Sequence, residues 1–237
     1  METCVVIPAR GGSKGIPRKN IMDFCGHPLI SWSISAALQC PKINSVFVST
    51  DDREIAEVAR HYGADIIWRP AELATDKASS ETALIHACEE LGRRSLRPQT
   101  LVFLQATSPL RETRELTEAL QKFREGGYDS LFCAAEPEDF LMWREENGCL
   151  ESLNYDFRNR KRRQEGGLAG RLLVETGSFY ISNVAGLLEH RNRLFGKIGY
   201  WTVEFWKSME IDSLEGAVLC AALMRAHELA KNAPQCK

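Results

Sequence analysis

The chain has 237 residues, 44% of them hydrophobic and 26% charged, which suits one large domain able to bury a substantial core. A formal net charge of −2 excludes a broadly cationic nucleic-acid binder, and no stretch approaches the ~18 apolar residues of a membrane span. The eight cysteines form no CxxC pair and sit mostly in apolar runs, and the amino terminus lacks the pattern of a secretion signal; a cytoplasmic location is expected, with neither membrane nor nucleic acid as a partner.

In chain order, residues 4–9 (CVVIPA) predict a buried strand, and 28–39 a helix on which Ile30, Ile34 and Leu38 recur every four positions. A strand is expected at 45–50, then a helix over 53–63 with Gly63 as its stop. A short strand at 64–68 precedes SSETALIHACEELG, a helix whose start has a capping-box look, with Thr82 three residues after Ser79 and Ala83 three after Ser80. Strands at 100–105 and 129–135 flank a charged amphipathic helix ended by Gly126 and Gly127. From about 137 to 170 the pattern breaks into a turn-like ENG, a dense basic run and several glycines, which reads as a small hairpin arm inserted into a single domain spanning 1–237. Residues 171–182 alternate like strands around Gly177, a late strand is expected at 200–205, and a helix over 213–231 closes the chain.

Strands separated by helical patterns of this length predict an α/β fold, a mostly parallel sheet flanked by helices. Ligands in such sheets bind beyond the carboxyl ends of the strands. That rule selects Arg10 to Asn20, Asp51 and Asp52, Arg69 and Pro70, and Gln105 to Arg111, all polar segments. The first of them, RGGSKGIPRKN, joins small residues that let backbone N–H groups approach oxyanions to the cations Arg10, Lys14, Arg18 and Lys19. It matches neither GxGxxG nor GxxxxGK[ST], and Pro17 keeps it irregular, so the spacing alone leaves phosphate binding beside a solvated basic turn.

The segments IPARGGSKGIPRKN, VSTDD, RPAELATDKASS, LQATSPLR, TGSFYI and EIDSLEGA occur in this order. Together they resemble the acylneuraminate cytidylyltransferases (CMP-N-acetylneuraminic acid synthetases), from Cys4 to about Leu223. The resemblance implies a Rossmann-like sugar-nucleotide transferase fold with a dimerisation arm, a homodimer, and Mg²⁺ as cofactor. It implies CTP and a nine-carbon acidic sugar as substrates, with the sugar's anomeric hydroxyl attacking the α-phosphorus and pyrophosphate leaving. By the same resemblance Arg10 and Lys14 face the triphosphate as catalytic residues, Gly11, Gly12 and Ser13 offer backbone donors, and Asn20 holds the nucleotide. Arg69 and Ser80 match positions at the base and ribose, where an ion pair to Glu72 and a helix cap are the structural alternatives; Asp51 divides between ribose and the next helix start.

Gln105 resembles a glutamine that contacts the acceptor sugar, Arg163 and Gln164 a site engaging its carboxylate, and Tyr180 an aromatic packed against it. The basic run 158–163 also reads as a solvated arm or a nuclear-localisation or RNA patch. Asp212 and Glu210 fall on the metal carboxylates, with glutamate at 210 where the family's best-known members have aspartate; one carboxylate could suffice for Mg²⁺, and a cap on the last helix is the alternative for Asp212. Trp143 stands where bacterial sialic-acid enzymes often carry lysine, so the acceptor's side arms are the least legible feature. Sialic, legionaminic and pseudaminic acids all remain as acceptors; KDO ranks lower because its enzymes lack this opening loop, and a non-catalytic nucleotide-binding relative is the other alternative.

Overall fold

Val5 and Ile7 face one side of the first strand, β1 (Thr3–Pro8), Cys4 and Val6 face the other, and all four are buried. A strand with apolar residues on both faces must lie inside a sheet covered on both sides. The computed structural model, which describes residues 2–12, 15–75, 78–137, 140–160 and 172–236, shows this arrangement. After β1 come the two-residue strands β2 (Asp23–Phe24) and β3 (His27–Pro28), then α1 (Leu29–Leu38), β4 (Ser45–Thr50), α2 (Arg53–His61) and β5 (Asp65–Trp68). Next are α3 (Ser80–Arg93), β6 (Thr100–Leu104), α4 (Thr113–Glu125) and β7 (Ser130–Ala135). The hairpin β8 (Trp143–Glu146) and β9 (Cys149–Ser152) precedes β10 (Val174–Asn183), α5 (Val184–His190), β11 (Ile198–Val203) and α6 (Leu214–Ala226).

Seven strands form the main sheet in the order β11-β7-β10-β6-β1-β4-β5. All neighbours pair in parallel except β10, which runs antiparallel to both β6 and β7. Residues from α1, α2 and α4 pack on the face carrying Val5 and Ile7, and residues from α3 and α5 on the face carrying Cys4 and Val6. A third apolar cluster joins Ile16 of the opening loop, Leu110 of the turn after β6 and Ile211 of the segment before α6 to Trp32, Cys220 and Met224. Each of these three polar segments thus sends one buried apolar side chain into a shared cluster.

The expected strands and helices fall within a few residues of their observed bounds, with four corrections. The alternation over 171–182 is a single strand, β10, whose register shifts between Glu175 and Tyr180 where Gly177 adopts φ +69°. The late strand runs over Ile198–Val203, because Phe205–Ser208 forms a 3-10 turn. The closing helix stops at Ala226, Glu228 takes φ +55°, and a 3-10 turn follows at Leu229–Asn232. The short helix α5, capped by Asn183 accepting from the Gly186 N–H at 2.7 Å, was not foreseen because its apolar residues are too few to show a period. The arm is a hairpin with Asn147 and Gly148 both at positive φ, the twist-matched two-residue turn. Among the described residues no helix is long and apolar enough to cross a membrane.

Candidate active site

The chain leaves β1 at Pro8, and the Ala9 N–H donates to the Ser49 carbonyl at 2.9 Å, so the opening loop starts against the end of β4. Asn20, 7% exposed, ties the loop's two ends by donating its side-chain amide to the Arg10 carbonyl at 3.1 Å. The Gly11 N–H donates to Asp51 Oδ1 at 3.1 Å, so this donor is engaged within the protein and Asp51 fastens the loop. The start of α2 is instead capped by Asp52, which accepts from the Ile55 N–H at 3.0 Å. Arg18, with φ +55°, turns away to Glu54 and lies 3.8 Å from Asp52. At Gly15 a Cβ would sit 2.8 Å from the Asp212 carbonyl oxygen, so only glycine lets the loop approach the segment before α6 this closely.

A cleft of about 420 Å³ opens beyond the carboxyl ends of β1, β4 and β5 and gathers Arg10, Lys19, Asn20, Arg69, Ser80 and Asp212. Arg69 is 8% exposed and does not pair with Glu72: its guanidinium donates to Ser49 Oγ at 3.2 Å and to the Ser49 carbonyl. Burial and the nearby Arg10 cation draw its pKa below the usual arginine range while Asp51 opposes them. Ser79, not Ser80, caps α3 by accepting from the Thr82 N–H at 3.2 Å, leaving Ser80 on the cleft wall at the helix's first turn. Asp212 is not a cap either, since Ser213 Oγ accepts from the Gly216 N–H at 3.1 Å. Its carboxylate is exposed and accepts from Lys19 Nζ at 2.9 Å.

Beyond the end of β6 the second half of the site forms. Gln105 Oε1 accepts from Thr107 Oγ1 at 3.3 Å, and a Cβ at Gly177 would lie 3.1 Å from Gln105 Nε2 and 2.0 Å from Glu210 Oε1. The bulge of β10 therefore presses bare backbone against both side chains. Burial, then the neighbouring Asp212 carboxylate, push Glu210 up to about 7, opposed by Arg111 and Lys19. The segment carrying both acids is fixed at two points: the Ile211 N–H donates to the Thr107 carbonyl at 2.9 Å, and Lys207 anchors the turn before it. Lys207, 4% exposed, bonds Glu112 and Glu115 at the start of α4 and lies 3.2 Å from Glu204.

Two carboxylates that repel each other, one half-buried and one facing the cleft, are hard oxygen donors whose charge a divalent cation would relieve. Ser108 Oγ is buried beside the Glu210 carboxylate and also opposes the rise in its pKa. The donor set fits Mg²⁺ in its usual manner, with one or two protein carboxylates and the rest of the shell from phosphate and water; among the described residues no cluster of three ligating side chains competes for this role.

Of the residues expected at the site, the cleft brings together Arg10, Asn20, Arg69, Ser80 and Asp212, with Gly11 and Gly12 in the adjoining loop and Gln105 and Glu210 in the neighbouring half. Ser13, Lys14, Arg163 and Gln164 lie outside the described residues. Tyr180 is 4% exposed, stacked on Phe103 with centroids 5.4 Å apart, covered by the Arg193 guanidinium, and bonded through its hydroxyl to Glu175. Trp143 sits on the hairpin, edge-on to Tyr155 and tilted against Phe157. From the sequence, Lys19 was one cation of a loop weighed for phosphate and Arg111 a residue shaping its turn, and neither Gly177 nor Lys207 was given a place in the site. Lys19 and Arg111 each stood inside a selected segment, whereas nothing local marks Lys207, whose partners lie 92 and 95 positions away.

Cations beyond the first strand and the Asp212 carboxylate share a cleft at the carboxyl ends of a mostly parallel sheet, where α/β folds bind their ligands. A model of the cytidylyltransferase family matches residues 4–161, and the chain belongs to that family. It is 39% identical over 211 residues to N-acylneuraminate cytidylyltransferase A of Danio rerio, covering 87% of this chain and 47% of that protein. It is 43% identical over 139 residues to the pseudaminic acid cytidylyltransferase of Campylobacter jejuni, covering 58% of this chain and 60% of the relative. The chain thus spans about half the length of the N-acylneuraminate cytidylyltransferases it matches. The fold matches the structure of CMP:2-keto-3-deoxy-manno-octonic acid synthetase complexed with CTP with a TM-score of 0.70, at 18% identity, over 96% of this chain and 100% of that one.

Proposed function

We propose that the chain transfers CMP from CTP to the anomeric hydroxyl of a nine-carbon acidic sugar, releasing pyrophosphate, with Mg²⁺ as cofactor. The observation that carries this reading is the cleft lined by Arg10, Lys19 and Arg69 together with the exposed carboxylate of Asp212, which Lys19 contacts. An attacking anionic sugar and a polyanionic nucleotide repel, and charge grows on the departing pyrophosphate, so fixed cations at that place lower the barrier electrostatically. Arg10 and Lys19 receive the triphosphate, Arg69 and Ser80 the nucleoside end, and Gln105 orients acceptor hydroxyls with an amide that both donates and accepts. Glu210 and Asp212 would hold Mg²⁺, which supplies neutralisation of phosphate charge when bound.

The nine-carbon acid class is supported by the relatives named above, and the 43% identity to a pseudaminic acid enzyme makes pseudaminic acid a second acceptor reading beside N-acylneuraminate. A homodimer is part of the proposal, supported by the apolar residues Phe140, Met142, Trp143, Leu150 and Phe157 exposed on and around the hairpin. A cytoplasmic location is supported by eight free cysteines, five of them buried.

Pyrophosphate release with Mg²⁺ and CTP, across nine-carbon acids, KDO and a no-sugar blank, tests the reading. Release with a nine-carbon acid, and at least ~100-fold slower release by Arg10→Ala, is the expected result. Release with KDO alone, or with no acid at all, overturns it.

A further inference from the structure

We propose that Arg111 is a positioning residue for the acceptor half of the site, holding the Gln105 peptide and the β10 bulge in one register. The inference rests on the acceptor role given to Gln105 above. The Arg111 side chain, 8% exposed, reaches three elements at once: Nη1 donates to Ser33 Oγ of α1 at 3.0 Å, Nε to Ser178 Oγ of β10 at 3.1 Å, and Nη2 to the Gln105 carbonyl at 3.1 Å. The same Nη2 donates to the Ser178 carbonyl.

These contacts close a ring around the residue that carries the amide. The Gln105 N–H donates to the Ser178 carbonyl at 3.3 Å, while the Gln105 carbonyl accepts from Arg111 and also from Ser33 Oγ at 3.2 Å. Both polar ends of residue 105 are therefore fixed by partners that Arg111 itself holds. Ser178 directly follows Gly177, whose backbone abuts Gln105 Nε2, so the fork also sets the wall against which the amide rests.

The bonded atoms are all neutral oxygens. Burying a cation among neutral partners costs more than burying an apolar side chain of the same volume. Burial lowers its pKa to about 10, still far above neutrality, so the charge persists. The planar fork supplies what an aliphatic or an ammonium group does not: donors at fixed angles to two carbonyls and two hydroxyls simultaneously. A misplacement of the Gln105 amide on the order of 1 Å would cost up to ~100-fold in the reaction.

Arg111→Lys keeps the charge and removes the fork; Ser178→Ala removes one hydroxyl acceptor and leaves the charge buried as before. Steady-state kinetics with the best acid of the panel should show the acceptor KM raised ~10-fold or more in Arg111→Lys, with the CTP KM within ~2-fold of wild type. The side-chain amide resonances of Gln105 in ¹⁵N-labelled protein, assigned by their loss in Gln105→Glu, should shift in both variants while those of Gln39 and Gln121 stay in place. Should Arg111→Lys not fold, Ser178→Ala carries both readouts. Unmoved Gln105 resonances, an unchanged acceptor KM, or equal rises in both KM values overturn the inference. If the wild type releases no pyrophosphate with any acid, the functional reading fails, and the resonances alone decide whether Arg111 positions Gln105.

Discussion

Lys19 and Asp212, 193 positions apart, meet at 2.9 Å across the mouth of the cleft, with the lysine side chain 16% exposed and the aspartate 75%. A pair this open to water contributes at most about 1 kcal/mol to stability. Its value lies in placement: a cation aimed at incoming phosphate stands next to a carboxylate suited to a divalent ion.

Lys19→Met should therefore leave the melting temperature within a few degrees of wild type and cut turnover ~100-fold or more, because a preorganised charge is lost where anionic charge develops. Turnover near wild type would remove Lys19 from the phosphate site. In Asp212→Asn the Mg²⁺ concentration for half-maximal rate should rise at least ~10-fold; an unchanged titration would take Asp212 out of the metal shell.

Glu210 makes the protein's stability depend on pH. Without divalent cation, its carboxyl ionises near 4.5 in the unfolded chain and near about 7 when folded, because burial and Asp212 outweigh the Arg111 and Lys19 cations. Between those values the folded state holds the extra proton, so stability falls as pH rises through the window and levels off above it. Glu210→Gln should melt with wild type at pH 4 and above it at pH 8, by about 1–2 kcal/mol once solvent screening of this partly exposed group is discounted. Equal melting at both values would show that Glu210 titrates normally.

Gly177→Ala tests the bulge. Its φ of +69° costs an L-residue about 1–2 kcal/mol, and the new Cβ would stand 2.0 Å from Glu210 Oε1. The variant should melt at least ~3 °C lower and lose acceptor affinity before CTP affinity. A fully stable, fully active Gly177→Ala would mean that the bulge relaxes without consequence.

Lys207→Met strands Glu115 as a buried, unpaired carboxylate and should cost about 3–5 kcal/mol, read by urea unfolding. Adding Glu115→Gln should recover much of that loss, since the charge that needed a partner is then gone. No recovery would place the lysine's effect elsewhere than in this pair.

The nucleotide half was legible because Arg10, Asn20 and Arg69 stand in polar segments that follow strands, while Ser80 came only from the family resemblance; all four share one cleft. The acceptor half was legible only in its endpoints. Gln105 and Glu210 were found, but the groups that hold them act over distances no window sees, as when Arg111 binds Ser33 and Ser178 at separations of 78 and 67 positions. Tyr180 shows the opposite limit: its place in TGSFY marks a strand entering the site, while the alternation of β10 turns the ring inward onto Phe103. Both glutamates that clasp Lys207 read locally as ordinary first-turn acids of a charged helix, so a buried ion cluster was invisible before the chain folded.

The strand order divides the molecule along the contact between β1 and β6. Every nucleotide-side group named above except Asp212 comes from the first 80 residues, and every acceptor-side group except Ser33 of α1 from Gln105 onward. The chain crosses from one half to the other once, through residues 94–99 between α3 and β6. Two relatives recombined in that link would exchange acceptor preference as a single cassette while keeping one parent's nucleotide pocket. The contacts to preserve would include the β1–β6 ladder, the Ser33 bonds to Arg111 and Gln105, the Ile16, Leu110 and Ile211 side chains, and the lysine–aspartate pair that closes the cleft.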